Sequence, residues 1–385
     1  MLTADPLGGP DGQAILAELG PDPIPAADVL RVSERLRRRH DPALVAVAFA
    51  LHDLRIAARA KFSRADEMWL TRAGLEQATA EPIGRRHAER FRGSHRIADL
   101  CTGIGGDLIA LAAVADVLAV DLDPEHLRMA TLNARVYGVG EAVTPWLGDV
   151  RDADLTGIDA VFIDPARRTA GGRMGPNASE PPLRWSVALA ARVSRLGIKA
   201  APGIDHAAVP PGWELELVAD GRDLKEAAIW SPALATTTRR ATILPAGATL
   251  VPAPGDPVAI SDPGAWLLDP NPAVTRAGLV EDLARTIGAW KIDDQIAFLS
   301  TATAVTTPFA RTLRVLDSLP WHHQTIAARL RELGIGSVDI RRRGLAGDVE
   351  QIRKRLKLSG PGRATLAMTR VRDQPWCVIC AAESL

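Results

Sequence analysis

ADLCTGIGGDLIAL, residues 98–111, reads as a short apolar strand ending at Asp99 and Leu100, then a glycine-rich loop, then an apolar helix. Glycine adopts backbone angles closed to other residues and lets a ligand approach the chain closely. The stretch therefore predicts a ligand-binding turn between a parallel strand and a helix. A dinucleotide loop of the form G-x-G-x-x-G, counted from Gly103, would need glycine where Leu108 stands, so NAD is disfavoured.

Short apolar runs and amphipathic stretches alternate on both sides of this loop, throughout residues 93–245. Such an alternation is typical of βαβ units that build a doubly wound parallel sheet. Residues 1–92 instead show helical spacing of apolar positions, with Asp41 and Pro42 suited to a helix start. We expect an α/β protein with a Rossmann-like doubly wound sheet, preceded by an α-helical domain and followed by small α+β domains.

Acidic residues recur where the predicted strands end. Asp99, Asp121, Asp149 and Asp164 follow four successive apolar runs. Any one of them could cap a helix or shape a turn, but carboxyl ends of parallel strands meet at one crevice, where ligands bind. A carboxylate after the second strand can accept hydrogen bonds from both ribose hydroxyls, and one after the third suits the amino group of an adenine.

Several stretches carry a resemblance to class I S-adenosylmethionine (SAM)-dependent methyltransferases, and in particular to RNA cap trimethylguanosine synthases. They are KFSRADEMWLTRAGLEQATAEPIGRRHAERF (61–91), DLCTGIGGDLIALA (99–112), AVDLDPEHLRMATLNARVYGV (119–139) and GDV (148–150). The resemblance implies SAM as the cofactor. It also implies a set of cofactor-binding residues: Thr79, with Gln77, closing over the cofactor; Asp99, Gly103 and Gly105 around the methionine, with Cys101 packed beside it; Asp121 on the ribose; and Asp149 on the adenine.

The stretch VFIDPARRTAGG, residues 161–172, departs from that family. Trimethylguanosine synthases carry Asp, Asn or Ser followed by Pro-Pro and an aromatic residue that stacks on the base. This chain has Asp164, Pro165, Ala166 and Arg167 instead, so cap hypermethylation is disfavoured. DPAR also resembles RNA uracil-C5 methyltransferases, which need a cysteine shortly afterwards, and no cysteine follows here before Cys377.

We assign the catalytic roles to this stretch. Asp164 is expected to accept a hydrogen bond from an acceptor amine or hydroxyl, and Pro165 to stiffen the loop. Arg167 or Arg168 would neutralise a neighbouring phosphate. Lys199, at the end of a fifth strand, is expected either to contact the substrate or to extend its ammonium group to solvent.

The layout of the whole chain is similar to bacterial methyltransferase-like proteins with a THUMP-like C-terminal domain. The motifs DPARR, IKAAPGIDH and DPNPAVTRAGL and a basic C-terminal segment carry this similarity. It implies four domains: a helical domain at 1–92, the methyltransferase at 93–245, a ferredoxin-like unit at 246–315 and a THUMP-like unit at 316–385.

The C-terminal segment is basic in a chain whose formal net charge is zero. Between Arg311 and Arg372 there are fourteen Lys or Arg residues against five Asp or Glu. Such a surface suits the phosphates of RNA, although a solvated charged face is the alternative. The candidate RNA-binding residues are Arg341, Arg342, Arg343, Arg353 and Arg355.

These observations predict a SAM-dependent methyltransferase that modifies a structured RNA, an rRNA or a tRNA, by direct SN2 transfer. A methyltransferase of small molecules or proteins is one alternative, and an inactive RNA-binding scaffold is the other. No apolar run approaches the length of about 18 residues that spans a membrane, and the N-terminus does not resemble a secretion signal, so we expect a cytoplasmic protein. Cys377 and Cys380 supply two of the four ligands of a zinc site, so no metal is expected.

Overall fold

The computed structural model describes residues 5–166, 168–169, 172–173 and 179–384. The chain divides into two compact units. The first comprises residues 1–213 and 228–236, and the second comprises residues 214–227 and 237–385.

Helices fill the first part of the first unit, as the apolar spacing predicts. They are α1 (Asp5–Gly8), α2 (Pro10–Leu19), α3 (Val29–Arg37), α4 (Pro42–Ala58), α5 (Arg72–Gln77) and α6 (Glu81–Arg90). Helix α4 begins as expected, because the Asp41 carboxylate accepts hydrogen bonds from Ala43 N and Leu44 N and Pro42 occupies the first turn.

A parallel sheet follows in the same unit. Its elements are β1 (Arg96–Leu100), α7 (Leu108–Ala112), β2 (Asp116–Asp121), α8 (Pro124–Val136), β3 (Val143–Leu147), β4 (Ala160–Ile163), α9 (Leu183–Ala188) and β7 (Arg195–Ala200), with the short strands β5 (Arg168–Thr169) and β6 (Gly172–Arg173) between β4 and α9. The strand order is β7-β4-β1-β2-β3, and each neighbouring pair is parallel. Because the chain leaves β1 toward β2 and later returns beside it as β4, the order reverses at β1. This confirms the predicted doubly wound α/β fold, and such a reversal opens a crevice at the carboxyl ends of the strands.

The helical segment and the sheet are joined through buried polar and aromatic contacts. Asn133 of α8 is fully buried, donates to Trp69 O and Ile104 O, and accepts from Trp69 N. Phe91, after α6, packs edge-on against Trp230 with ring centroids 5.8 Å apart. The residues before β1 therefore share a core with the sheet and are held against its glycine loop.

The second unit contains mainly antiparallel structure. Its elements are β8 (Glu214–Asp220), the start of β9 (Asp223–Trp230), β10 (Arg239–Leu244), β11 (Ala248–Leu250), β12 (Trp266–Pro270), α10 (Pro272–Ala277), α11 (Val280–Ile287), β13 (Trp290–Lys291), β14 (Leu299–Thr301), β15 (Ala310–Pro320), α12 (His323–Glu332), β16 (Ile335–Arg342), α13 (Val349–Leu356), β17 (Gly362–Val371) and β18 (Gln374–Ser384). Seven of these strands form a sheet of order β13-β14-β12-β15-β18-β17-β16.

The boundary predicted at residues 315 and 316 lies inside β15, which pairs with β12 on one side and β18 on the other. Strands from the predicted ferredoxin-like and THUMP-like units thus belong to one sheet. The division of the chain into four domains remains a prediction.

Candidate functional site

A cavity of about 480 Å³ lies at the carboxyl ends of the parallel strands in the first unit. Most of the predicted cofactor and catalytic residues line it: Thr79, Asp99, Cys101, Gly103, Asp121, Asp149, Asp164 and Pro165. Gln77, Glu76 and Gly74 add a wall from α5. Arg167 lies outside the described residues, and of Arg168 only the backbone, in β5, is described.

The loop after β1 follows a path that requires glycine at defined points. Gly105 has φ +93°, and a Cβ atom there would lie 3.2 Å from the Ala130 backbone. Gly106, which the sequence reasoning did not single out, approaches the chain before α6 so closely that a Cβ atom would lie 2.8 Å from Thr79 N. The glycines therefore allow the loop to pack between α8 and the Thr79 segment, with its backbone at the cavity.

Asp121 ends β2 and is tied to this loop. Its Oδ2 atom accepts a hydrogen bond from Gly103 N at 2.7 Å, and its Oδ1 atom accepts one from Asp123 N at 2.9 Å. The carboxylate is therefore fixed at the rim of the cavity, where its remaining lone pairs suit a ligand diol.

Asp99 is the most deeply buried carboxyl group that lines the cavity, with 1% of the residue exposed. Among the described residues, its Oδ2 atom has no hydrogen-bond partner. Burial, and then the nearby carboxylates of Asp107, Asp164 and Asp121, raise its pKa well above the usual range. A cationic ligand group beside Asp99 would satisfy the carboxylate and relieve this cost, so the site fits the ammonium group of an amino acid moiety.

Cys101 has φ +64°, an uncommon value for a residue with a side chain. Burial, followed by the charges of Asp121, Asp164, Asp99 and Asp149, raises the pKa of its thiol well above the usual range. The thiol therefore stays protonated and is a poor nucleophile.

Asp149 also lines the cavity and belongs to an ionic cluster. Its carboxylate accepts hydrogen bonds from Arg151 N and from Arg151 Nη1, both at 2.9 Å. The same guanidinium contacts Glu180, whose backbone pairs with Ala166 just after Pro165. Arg151 and Glu180 line the cavity but were not predicted, because nothing local in the sequence distinguishes them from surface charges.

Asp164 follows β4 and is paired with Lys199 of β7. The Lys199 Nζ atom donates to Asp164 Oδ2 at 2.7 Å and to Thr79 Oγ1 at 2.6 Å. Lys199 is therefore buried at the site, with 6% of the residue exposed, and does not extend to bulk solvent. The structure thus places the Lys199 ammonium group against Asp164, and contact between Lys199 and a substrate stays a prediction.

Asp107 and His87 continue this chain of contacts and were missed by the sequence reasoning. Thr79 Oγ1 donates to Asp107 Oδ2 at 2.6 Å, and His87 Nδ1 lies 2.7 Å from Asp107 Oδ1. Burial tends to raise the pKa of Asp107, but the neighbouring His87, Lys199 and Thr79 outweigh burial and lower it. Asp107 follows GIGG directly and occupies the N-cap position of α7, yet its side chain makes no capping hydrogen bond.

The predicted RNA-binding arginines lie in the second unit and differ in their surroundings. Arg342, Arg353 and Arg355 are exposed, whereas Arg341 and Arg343 are half-buried. Arg341 pairs with Asp339 at 3.0 Å, and Arg353 pairs with Glu350.

Arg343 takes part in a cluster around Asp269. The Asp269 carboxylate accepts hydrogen bonds from Arg343 Nη2 at 2.8 Å and from Arg222 Nη2 at 2.7 Å. Burial lowers the pKa of Arg222; Asp269 opposes this effect, and the positive charges of Arg341, Arg311 and Arg343 lower the pKa further. Asp269 thus pairs with two guanidinium groups, and two more, those of Arg341 and Arg311, lie near enough to act on Arg222, so the charge around Asp269 is positive in excess.

A cavity of about 750 Å³ in the second unit is lined by three cationic side chains: that of Arg311, which also acts on Arg222, and those of Arg353 and Arg363. Asp339 is the acidic residue in the same lining. Positive charge therefore extends from the Asp269 cluster through Arg311 to this cavity.

Cys377 and Cys380 are buried in β18 and belong to different apolar clusters. Burial raises the pKa of both thiols, that of Cys380 to about 12. Within the described ranges, no group of three or more His, Cys, Asp or Glu side chains is placed to hold a metal ion. None of the helices described there is long and apolar enough to cross a membrane.

Comparisons with known proteins found related families and sequences. A family model described as RNA cap guanine-N2 methyltransferase matches residues 94–175, one described as THUMP domain-like matches residues 310–382, and a domain of unknown function matches residues 3–58. Two sequences from Mycobacterium tuberculosis, strains CDC 1551 and H37Rv, are each 35% identical over 315 residues, covering 79% of this chain and 85% of the relative. Both are described as uncharacterized S-adenosylmethionine-dependent methyltransferases.

A solved structure shares the fold over the full length. The crystal structure of a candidate methyltransferase from Porphyromonas gingivalis W83 matches with a TM-score of 0.79, covering 100% of both chains at 19% identity.

Proposed function

The chain belongs to the S-adenosylmethionine-dependent methyltransferases, and from this premise we propose that it methylates a structured RNA, an rRNA or a tRNA. The observation that carries the proposal is the arrangement in the first unit, where the carboxylates at four strand ends surround one cavity beside a glycine loop. The basic surface of the second unit supports RNA as the substrate.

The cavity fits SAM residue by residue. Asp99, buried and lacking a described partner for Oδ2, would hold the ammonium group of the methionine part. The backbone at Gly103 would lie along that part, Asp121 would hold the ribose hydroxyls, and Asp149 would accept from the adenine amino group. When bound, SAM supplies a methyl group on a sulfonium, which an acceptor lone pair displaces while the electrons of the broken bond remain on sulfur.

Asp164 would orient the acceptor. Its carboxylate, held by Lys199, would accept a hydrogen bond from the acceptor N–H or O–H and so direct the lone pair at the methyl carbon. Transfer leaves the acceptor with an excess proton, which passes to Asp164 and then to water. Positioning of this kind supplies most of the rate in a direct displacement. Pro165 would stiffen the loop, and Arg167 or Arg168 would neutralise a flanking phosphate.

The second unit would hold the RNA backbone. Guanidinium groups bind phosphates through paired hydrogen bonds, and phosphate contacts dominate affinity for nucleic acids. Arg341, Arg342, Arg353 and Arg355 carry this role in the proposal. Arg343 contributes charge to the same region while its hydrogen bonds go to Asp269.

The test is the RNA of a strain from which the gene is deleted. Mass spectrometry of nucleosides from its rRNA and tRNA should reveal one methylated nucleoside that is lost and that returns with the wild-type gene. Complementation with an Asp164→Ala variant should not restore it. Unchanged methylation of both RNA classes would contradict the proposal.

A further inference from the structure

Behind the Asp164 carboxylate runs a hydrogen-bonded chain of side chains drawn from five different parts of the first unit. Lys199 Nζ donates to Asp164 Oδ2 and to Thr79 Oγ1, at 2.7 and 2.6 Å. Thr79 Oγ1 in turn donates to Asp107 Oδ2 at 2.6 Å, and His87 Nδ1 lies 2.7 Å from the other oxygen of Asp107. The chain links the segment before α6, helix α6 through His87, the start of α7, and the ends of β4 and β7.

Every member behind Asp164 is buried. Lys199, Thr79 and Asp107 are 5–6% exposed and His87 is fully buried, whereas the Asp164 side chain keeps 26% of its exposure. A buried ammonium group is tolerated only with charged or polar partners that repay its lost hydration. Asp107 provides such charge, because its pKa is lowered and it therefore stays ionised at neutral pH.

The Thr79 hydroxyl determines which group donates in each hydrogen bond of this side-chain network. A hydroxyl has one proton to donate, and here the proton points to the Asp107 carboxylate, so the Lys199 ammonium must be the donor toward Thr79. Two of the three Lys199 protons are thereby directed, one to Thr79 and one to Asp164. The carboxylate of Asp164 is thus held in one orientation by a cation that is itself fixed from behind.

We infer that Lys199 is a positioning residue for methyl transfer, which acts through Asp164, and that Thr79 and Asp107 position Lys199. This inference rests on the proposed role of Asp164 as the group that orients the acceptor. The sequence resemblance implies that Thr79 contacts the cofactor. The inference instead assigns Thr79 to positioning Lys199 at the proposed acceptor site. It also gives Asp107 and His87 a function that helix capping does not explain.

The test is a double-mutant cycle on initial rates of methyl transfer, with the acceptor pool that the wild-type protein labels. Lys199→Met keeps much of the side-chain volume and removes the charge, and should lower kcat by about 100-fold with the affinity for SAM changed less than about threefold. Lys199→Arg should restore part of the rate. In an Asp164→Asn background, where the charge partner is already lost, Lys199→Met should cost less than about threefold more. Lys225→Met, an exposed lysine paired with Asp223, is the matched control and should change no rate.

Additive losses in the cycle would overturn the inference, because they would mean that Lys199 acts independently of Asp164. If Asp164→Asn is slow while Lys199→Met is as fast as wild type, the inference also falls but the proposed role of Asp164 stands. If Asp164→Asn itself is as fast as wild type, the proposed acceptor site fails instead.

Thr79 provides a milder variant should Lys199→Met not fold. Thr79→Val removes the hydroxyl at nearly constant volume, and should lower kcat by about tenfold with little change in the KM for SAM. Thr79→Ser, which keeps the hydroxyl, should recover most of the rate. An increase in the KM for SAM with kcat unchanged would return Thr79 to the cofactor and contradict the inference.

Discussion

The Oδ2 atom of Asp121 accepts a hydrogen bond from Gly103 N at 2.7 Å, which ties the end of β2 to the loop after β1. The two residues are 18 positions apart in sequence and were each predicted to contact the cofactor, one through its carboxylate and one through its backbone. In the proposed SAM site, this contact joins the residue assigned to the ribose directly to the loop assigned to the methionine part. Loss of the Asp121 carboxylate should therefore affect both.

We expect Asp121→Ala to weaken SAM binding by about 1.5–3 kcal/mol, the usual worth of hydrogen bonds to a charged group. Isothermal titration calorimetry measures the change. Asp123→Ala is the control, because Asp123 caps α8 through Glu125 N and His126 N. That variant should lose about 1 kcal/mol of stability and keep its affinity for SAM. Unchanged affinity in a folded Asp121→Ala variant would remove Asp121 from the cofactor site.

The Asp99 carboxylate should lower the free energy of unfolding of the SAM-free protein, although it strengthens the binding of SAM. Its raised pKa means that the folded chain holds the proton more tightly than the unfolded chain, so stability falls as pH rises from the ordinary Asp range of about 4 through the raised value. Asp99→Asn removes this loss, and should raise the free energy of unfolding at pH 8 by about 1–2 kcal/mol, with little gain near pH 4. Denaturant unfolding of the SAM-free protein at both pH values measures this. Asp116→Asn, at the exposed start of β2, should change neither value.

The same substitution should weaken SAM binding by about tenfold or more, because the ammonium group of the ligand loses its carboxylate partner. A cation favours the ionised form, so SAM binding by the wild-type protein should release a proton and strengthen as pH rises toward neutrality. Calorimetry in buffers of different ionisation enthalpy detects that proton. Equal affinity of the wild-type protein and Asp99→Asn for SAM would place the ammonium group elsewhere.

Asp164→Ala should lower the rate of methyl transfer by about 100-fold, since a lost positioning contact can cost that much. Affinity for SAM should change little, because the assigned partner of Asp164 is the acceptor. Single-turnover kinetics with saturating SAM separates the two effects. Asp152→Ala, an exposed carboxylate after β3 outside the cavity lining, serves as the control. Wild-type rates in Asp164→Ala would show that the acceptor binds elsewhere.

RNA affinity should depend on the exposed arginines of α13. Replacing both Arg353 and Arg355 by Gln should weaken RNA binding and reduce the slope of log K against log salt by about 1–2, since each phosphate contact contributes about 0.9. Arg35→Gln with Arg37→Gln in α3 is the matched control, because those arginines have the same spacing on an exposed helix. Fluorescence anisotropy over a range of salt concentrations measures both slopes. Equal slopes for the two double variants would show that the α13 arginines do not contact RNA phosphates and form an ordinary solvated surface.

Much of the cavity lining could be predicted from the sequence because it comes from the ends of strands. Apolar runs locate the strands, and a parallel sheet brings the carboxyl ends of neighbouring strands together, so the sequence alone places Asp99, Asp121 and Asp164 near one another. The same reasoning predicted that Asp149 lies near them. The glycine loop was equally visible, because its conformation excludes most side chains.

The buried hydrogen bonds behind Asp164 could not be predicted, since they join residues that are distant in the sequence. Lys199 donates a hydrogen bond to Thr79, which is 120 positions away in the sequence, and no local pattern around either residue indicates this contact. Asp107 was hidden for a different reason: an Asp before an apolar helix is the usual sign of an N-cap, and here the carboxylate turns to Thr79 and His87 instead. In the sequence, Arg341, Arg342 and Arg343 look equally available for phosphate binding. In the structure, however, Arg343 donates a hydrogen bond to Asp269, 74 positions away.

The most direct test of methyl transfer to RNA uses tritiated methyl groups. The purified protein is incubated with SAM labelled on the methyl group and with RNA, protein and small-metabolite fractions, each taken from a strain lacking the gene. The account predicts nuclease-sensitive label in the RNA fraction, about 100-fold weaker with Asp164→Ala. Label confined to the protein or metabolite fraction, or no label in any fraction from a protein that binds SAM, would contradict it.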